Sequence, residues 1–452
     1  MPGILSTLLT SSGALKAFDR GLATTQNNVA NAGTPNYARQ QLIFEALPFD
    51  LTTGMVGGVA ADTLNSARDE YAEQSVRREL QSWGYARQQV STMSQIEPLF
   101  DATGQSGVPQ ALSRLFQAFS ALSAEPNDAV ARRVVLDRAE ELAARFREVA
   151  TTLGRVRAQS EQELDDAVEA VNRISEQIWQ WNKLVRSSGN ASDPNLDAEL
   201  HTLLEKLAEY TDFTALRRED GSVSVMLGGG QSPLVIGDQV FRIGAFLTPA
   251  GSSIVDANGN DITAQISSGR MAALVELRNT TVAGYIGDLN RLAGTLADRV
   301  NEVLASGIDA NGDAGAALFS YDAAAGAALS LRAEPLQVSQ IAAAAPGAPG
   351  GNANALALAA LGSSPEIAGE SFMEFYGALA ARAGRDLSSA REAVMAAESR
   401  VVQSRDLRDR TTAVSLDEEA VRVIQFQRSY QAVSRLIGVL DELTETTINL
   451  LR

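Results

Sequence analysis

The sequence predicts a mainly α protein with a smaller β region. Its expected architecture is an elongated multi-helix coiled-coil rod formed by both chain ends, plus a β-containing outer domain. Three observations carry this expectation. Apolar residues recur every seven positions near both termini. The same repeat runs through 128–188, the longest helical signal. Strand-like alternation and turn residues cluster between about 212 and 266, with weak strand or short-helix content again in 306–368.

At the N-terminus Leu8, Leu15, Leu22 and Val29 fall seven apart, flanked by Phe18 and Thr25, with Ser11 the weak member of that second row. This heptad seam predicts a helix of about 25 residues with a narrow stripe, marginal by itself. At the C-terminus Leu416, Val423, Tyr430, Ile437 and Leu451 share one heptad position, and Phe426, Val433 and Leu440 share the next. Ser415 with Glu418 three residues on is a capping-box start, and Asp417 and Glu419 suit the positive end of the helix dipole. A second long helix is predicted over about 369–410, and its short connection near 411–414 predicts antiparallel neighbours.

Between these ends, 66–98, 108–122 and 196–210 read as shorter helices. In 128–188 the register slips by one residue between Val156 and Leu164, which predicts a stutter or bend near Ser160. Helix returns over about 269–305, while 306–368 is Ala/Gly-rich and irregular. The expected domains are 1–65, an N-terminal axial helix and turn pairing with the C-terminus; 66–210, a long-helix rod domain; and 211–268, a β-rich outer region. They continue with 269–305, a returning helix of the rod; 306–368, the irregular region; and 369–452, a C-terminal helical hairpin and axial helix.

Composition narrows function. The 452 residues carry 55 acidic and 38 basic side chains, a net charge of −17, with no basic patch, so nucleic acid is not an expected partner. Cysteine is absent and His201 is the single histidine. Thiolate catalysis and Cys/His zinc sites are thereby excluded, and a Ser-His-Asp site would have to rest on His201, which reads as a surface or boundary residue. The first twenty residues lack a secretory-signal pattern, and no run reaches the ~18 apolar residues of a membrane helix. Membrane insertion is not expected.

Two acidic runs mimic calcium loops. Asp309, Asn311 and Asp313 fail at positions six and twelve, where Ala314 and Ser320 stand, and the Asp256–Asp261 run fails likewise. Both read as Asn-Gly turns. No phosphate-binding glycine loop is present. No catalytic, cofactor or metal residue is therefore assigned, and the chain is read as a non-enzyme.

The segment Asn27-Asn28-Val29-Ala30-Asn31-Ala32-Gly33-Thr34-Pro35-Asn36-Tyr37-Ala38-Arg39-Gln40 resembles the N-terminal signature of the flagellar axial family of rod, hook and hook-associated proteins, approximately N-N-[IV]-A-N-x-x-T-P-G-Y-x-R. Asn27, Asn28, Asn31, Thr34, Pro35, Tyr37 and Arg39 carry the match. Asn36 replaces the usual glycine, and asparagine is the next best residue for a positive φ in a type II turn. Ser415–Glu419 with Ile424, Gln425, Phe426, Gln427 and Tyr430 looks like the family's C-terminal helix. Within the family, Tyr37-Ala38-Arg39-Gln40, the helical stretch from Gln95 to Leu207, and Gly269–Asn279 followed by Gly307, Asp309 and Asn311-Gly312 resemble the hook-associated members that join hook to filament.

The resemblance implies a structural assembly protein, exported unfolded by the flagellar type III apparatus and placed outside the cell in the flagellum. It implies self-association, hook protein and the second junction protein as partners, and an export chaperone at the C-terminal helix. The expected assembly interface is Leu8, Leu15, Phe18, Leu22 and Val29 against Val423, Phe426, Tyr430, Val433, Ile437 and Leu440. Rival readings are another axial subunit of hook, rod or filament, a non-flagellar cytoplasmic coiled-coil scaffold, and a glycan hydrolase, for which no motif speaks.

Overall fold

The computed structural model describes residues 2–50, 55–100, 107–188, 193–248 and 251–450. In chain order these form α1 (Pro2–Ala30), β1 (Gln40–Asp50), β2 (Met55–Ser66), α2 (Glu70–Ile96), α3 (Val108–Ala124), α4 (Ala129–Ser188) and α5 (Pro194–Tyr210). The strands β3 (Phe213–Arg217), β4 (Val223–Leu227), β5 (Ser232–Ile236), β6 (Gln239–Val240), β7 (Gly244–Leu247) and β8 (Ser252–Val255) follow. The remainder is α6 (Gly269–Glu276), α7 (Ala283–Ser306), β9 (Phe319–Ser320), α8 (Ala327–Ser330), β10 (Arg332–Ala333), α9 (Ala353–Ala360), α10 (Phe372–Thr412) and α11 (Leu416–Leu450). The fold class is thus mainly α with a smaller β region.

The residues group into two compact units that do not follow the expected domain boundaries. One unit comprises Met1–Gln81, Asn172–Phe241 and Glu398–Arg452; the other comprises Ser82–Val171 and Arg242–Ala397. The expected 66–210 domain is therefore divided, with segments in each unit.

The first unit holds the chain ends. Its largest departure from expectation is the antiparallel β1–β2 hairpin, pairing Gln40 with Ser66 through Phe49 with Val56, in a region read only as helix and turn. The strand run Leu42-Ile43-Phe44-Glu45-Ala46-Leu47 hid itself because it lacks clean alternation: the hairpin is apolar on both faces. Phe44 stacks on Phe426 at 5.7 Å and meets Phe18 at 6.1 Å, while Ile43, Leu47 and Phe49 are also largely exposed. Pro48 lacks a backbone N–H, which a two-stranded sheet tolerates at its edge. Gly58, at φ 126, lets β2 approach α1, since a Cβ there would lie 3.2 Å from Thr10. Elsewhere in this unit β3-β4-β5-β6 form an antiparallel sheet. The buried Asn182 amide clamps the start of the inner strand β4 by bonding both N and O of Val223, at 2.7 and 2.8 Å.

The second unit is built on a helical core. Val135, Leu142, Phe146 and Leu153 of α4 face Leu112, Leu115 and Phe119 of α3 and the Leu289, Leu292 and Leu296 row of α7 in one buried cluster. Helix α4 runs unbroken through Ser160, so the register slip is absorbed within a continuous helix. Ser160 itself is buried between Val156 and Leu164 and donates its hydroxyl to Val156 O. The expected 269–305 helix is interrupted by a π-wound turn at Leu277–Val282. That turn buries Arg278 against Glu161 and aims Asn279 at both backbone groups of Ser252. Residues 306–368 carry only the short elements β9, α8, β10 and α9, a 3₁₀ turn and loops, yet are not peripheral: Phe319, Ala328, Leu331, Ile341 and Leu358 enter the core.

Both acidic runs are turns. Asp309 Oδ1 accepts from the backbone N of Asn311 and Asp313, and Asp256 Oδ1 from those of Asn258 and Asn260. Among the described residues no group of His, Cys, Asp and Glu is placed to hold a metal, and no helix is long and apolar enough to cross a membrane.

Candidate assembly site at the paired chain ends

Within the first unit α11 closes on α1 and β1. The pairing is antiparallel. Asn28 Nδ2 donates to Glu419 Oε2 at 3.2 Å, and one heptad back on α1 and one heptad on along α11, Gly21 meets the Phe426 ring. A Cβ at position 21 would sit 2.9 Å from that ring, so a side chain there would push the ring aside.

The burial pattern shifts the seam away from the leucine row. Among the described side chains, Ser11, Ala17, Gly21, Thr25 and Asn28 are the buried residues of α1, and Glu419 and Leu440 those of α11. Leu8, Leu15, Phe18 and Leu22 are half-buried, as are Val423, Phe426, Val433 and Ile437, while Val29 and Tyr430 are exposed. Leu451 lies outside the described residues. The physical reason is close approach: the small and polar row 11–25 with Gly21 lets the helices and hairpin come together, and the bulky leucines flank the contact. A second apolar row on α11, Val421, Ile424, Leu436, Val439 and Leu443, remains 46–65 % exposed.

The signature residues form a hydrogen-bonded hub at the base of this pair. Asn28 bonds both backbone groups of Gln40, receiving from its N at 2.9 Å and donating to its O at 2.8 Å, which starts β1. Tyr37 donates to Asn27 Oδ1 at 2.9 Å and Asn28 Oδ1 at 3.1 Å. Arg39 Nε donates to Glu419 Oε1 at 2.7 Å, and its guanidinium also pairs with the exposed Glu418. Burial, and then the Glu419 charge, push the Tyr37 phenol up to about 12. Asn31 folds back on Asn27 O, and Thr34 bonds Asn31. Thr34-Pro35-Asn36-Tyr37 makes the expected turn, with Tyr37 N on Thr34 O and Asn36 at φ 58.

Asn36 also reaches beyond its turn. Its amide donates to Thr202 of α5 at 3.1 Å, and Arg68 donates to its carbonyl at 2.7 Å. Behind it lies a buried ionic cluster that the sequence did not reveal. Arg408 of α10 bonds Glu205 at 2.6 Å, Arg68 pairs with Glu73 and with Asp197, and His201 Nδ1 lies 3.6 Å from Glu73 Oε2. The surface or boundary placement expected for His201 is thereby corrected: it is 4 % exposed, because Glu73, Arg77 and Asp197 supply the polar surroundings that its helix face alone did not announce. Burial raises the cost of a charge on Glu73, but His201, Arg68 and Arg408 outweigh it and hold the carboxyl at about 2.

Of the buried seam residues, Ser11, Ala17, Gly21, Thr25 and Glu419 were not on the expected interface, and Asn28 was expected only as a signature residue. A glycine seven residues before Asn28 inside a helical pattern is the one available signal. Glu419 was read as a dipole-complementing residue.

Residues 93–319, half of the chain, match the family model described as Flagellar hook-associated protein FlgK helical domain. Residues 8–37 match Flagella basal body rod protein, and residues 410–450 match Flagellar basal body rod FlgEFG protein C-terminal. Flagellar hook-associated protein 1 of Bacillus subtilis is 27% identical over 98% of this chain and 97% of its own. Flagellar hook-associated protein 1 of Escherichia coli is 24% identical over 68% of this chain and 58% of its own. In fold, the solved flagellar hook junction protein FlgK from Burkholderia pseudomallei is similar at a TM-score of 0.68 and 15% identity, over 76% of this chain and 100% of that one. The chain belongs to the FlgK family of flagellar hook-associated proteins.

Proposed function

We propose that this chain is a structural, non-catalytic subunit at the junction between flagellar hook and filament, assembling through its paired N- and C-terminal helices. The observation that carries the reading is the two-sidedness of α11. One face closes on α1 and β1, and a second apolar row stays open, from Val421 and Ile424 to Leu436, Val439 and Leu443. Open rows of this kind on every copy suit heterologous contacts that build a tubular segment. Copies of itself, hook protein and the second junction protein are the partners. The terminal matches are shared with rod proteins, while the 93–319 match favours the hook-associated role over hook, rod or filament subunit.

On this reading the chain passes through the type III export apparatus and ends in the extracellular flagellum, and an export chaperone covers the C-terminal stripe beforehand. A deletion strain viewed by electron microscopy tests the assignment: hooks without attached filaments are expected, and normal filaments on those hooks reject it.

A further inference from the structure

The leucine rows of the terminal helices repeat every seven residues, and that creates a problem of register. A slip of α11 by one heptad along α1 exchanges one apolar residue for another, Val423 for Tyr430 or Leu15 for Leu22, and nothing in those rows opposes it strongly. At the base of the pair Arg39 N donates to Thr412 O at 2.8 Å, and two contacts along the helices themselves oppose it. The Phe426 ring fills the gap that Gly21 leaves and is held from its other side by Phe44. One heptad away the fully buried Glu419 carboxylate is met by Asn28 and Arg39.

We propose that the register of the α1–α11 pair is set by these two pins, Phe426 in the Gly21 gap and Glu419 between Asn28 and Arg39, and not by the leucine rows. A slip in one direction brings Glu419 to Gly21, which offers no hydrogen bond, and Phe426 to Ala14, whose Cβ closes the gap. A slip in the other brings Phe426 onto Asn28 and carries Glu419 past the end of the helix. A buried carboxylate without partners, or a ring without its hole, penalises each alternative. Because β1 begins at Gln40, bonded to Asn28, the same pins place the hairpin against the pair. The inference deepens the assembly reading and rests on it for its consequence: one register presents one open row to neighbouring copies.

The cysteine-free chain makes the test direct, since introduced thiols have no competitors. In the isolated full-length chain, Ala14→Cys with Val433→Cys continues the observed register by one heptad. Thr7→Cys with Val433→Cys and Ala14→Cys with Leu440→Cys report the two slipped registers. With the pins intact, mild oxidation joins the first pair roughly tenfold more than either slipped pair; with Gly21→Leu and Glu419→Gln the yields approach parity. Phe426→Ala added to Gly21→Leu, with Glu419 restored, brings the preference back, which a simple failure to fold would not. An undiminished preference in the unpinned variant overturns the proposal. So do equal yields, or no crosslink, in the parent. Crosslinks are read without assembly, so the register can fail while filaments still attach, and the junction reading can fail while the register holds.

Discussion

Arg408 Nη1 donates to Asn36 Oδ1 at 2.9 Å, which ties the last turns of α10 to the signature turn that follows α1. The residue that departs from the family's glycine is therefore the one that carries this bond. Its φ of 58 needs glycine or asparagine, and only asparagine adds the side-chain contacts to Arg408 and Thr202.

Asn36→Gly should keep the turn and lose those contacts, at a cost of about 1–3 kcal/mol, since a bond to a charged group contributes more than a neutral one. Asn36→Ala should cost about 1–2 kcal/mol beyond that from its left-handed backbone. Urea unfolding of the two variants checks the order; an alanine variant as stable as the glycine variant contradicts it.

Glu73→Ala removes one of the carboxylates that face each of Arg68 and Arg408, Asp197 and Glu205 remaining, and should destabilise the first unit by about 1–3 kcal/mol. The pH dependence has a definite sign. The Glu73 carboxyl is held at about 2, below its ordinary 4.5, so its contribution is complete above 4.5 and is lost as pH falls through about 2. Thermal melts between those pH values should flatten in Glu73→Gln relative to the parent.

Tyr37 behaves in the opposite sense. Its phenol is raised from 10 to about 12, so the folded state favours the neutral form, and this contribution is lost as pH rises from 10 through 12. Tyr37→Phe should remove that alkaline loss and cost about 1 kcal/mol at neutral pH through the missing bonds to Asn27 and Asn28. Ultraviolet titration of parent and variant should differ by one late-ionising tyrosine.

Leu436→Asp with Leu443→Asp alters the open row of α11 and not its seam. Stability of the isolated chain should change by no more than about 0.5 kcal/mol per site, as for exposed positions generally. Complementation of the deletion strain should nevertheless fail. Filaments attached at the parental frequency would remove this row from the assembly surface.

Much of the helical architecture was legible because heptad rows are a local, periodic signal. The 128–188 helix, the terminal helices and the Thr34–Tyr37 turn all formed where spacing and turn chemistry placed them. The β1–β2 hairpin was not legible, because a strand with apolar side chains on both faces shows no period of two. The buried position of His201 was equally hidden: its partner Glu73 lies 128 residues before it, and Arg408, which pairs with the same Glu73, lies 207 after it, and no local pattern announces them.

By itself the sequence determined the class of the molecule. Periodicity, the absence of cysteine, the lone histidine and the signature segment pointed to a helical assembly protein whose two ends pair. Tertiary structure alone decided which face of each end pairs. Apolar spacing marks the stripe a helix can bury, yet which residues go deepest depends on how near a partner can come. That nearness was decided by Gly21 opposite Phe426, and by Asn28 opposite Glu419, across nearly the whole length of the chain.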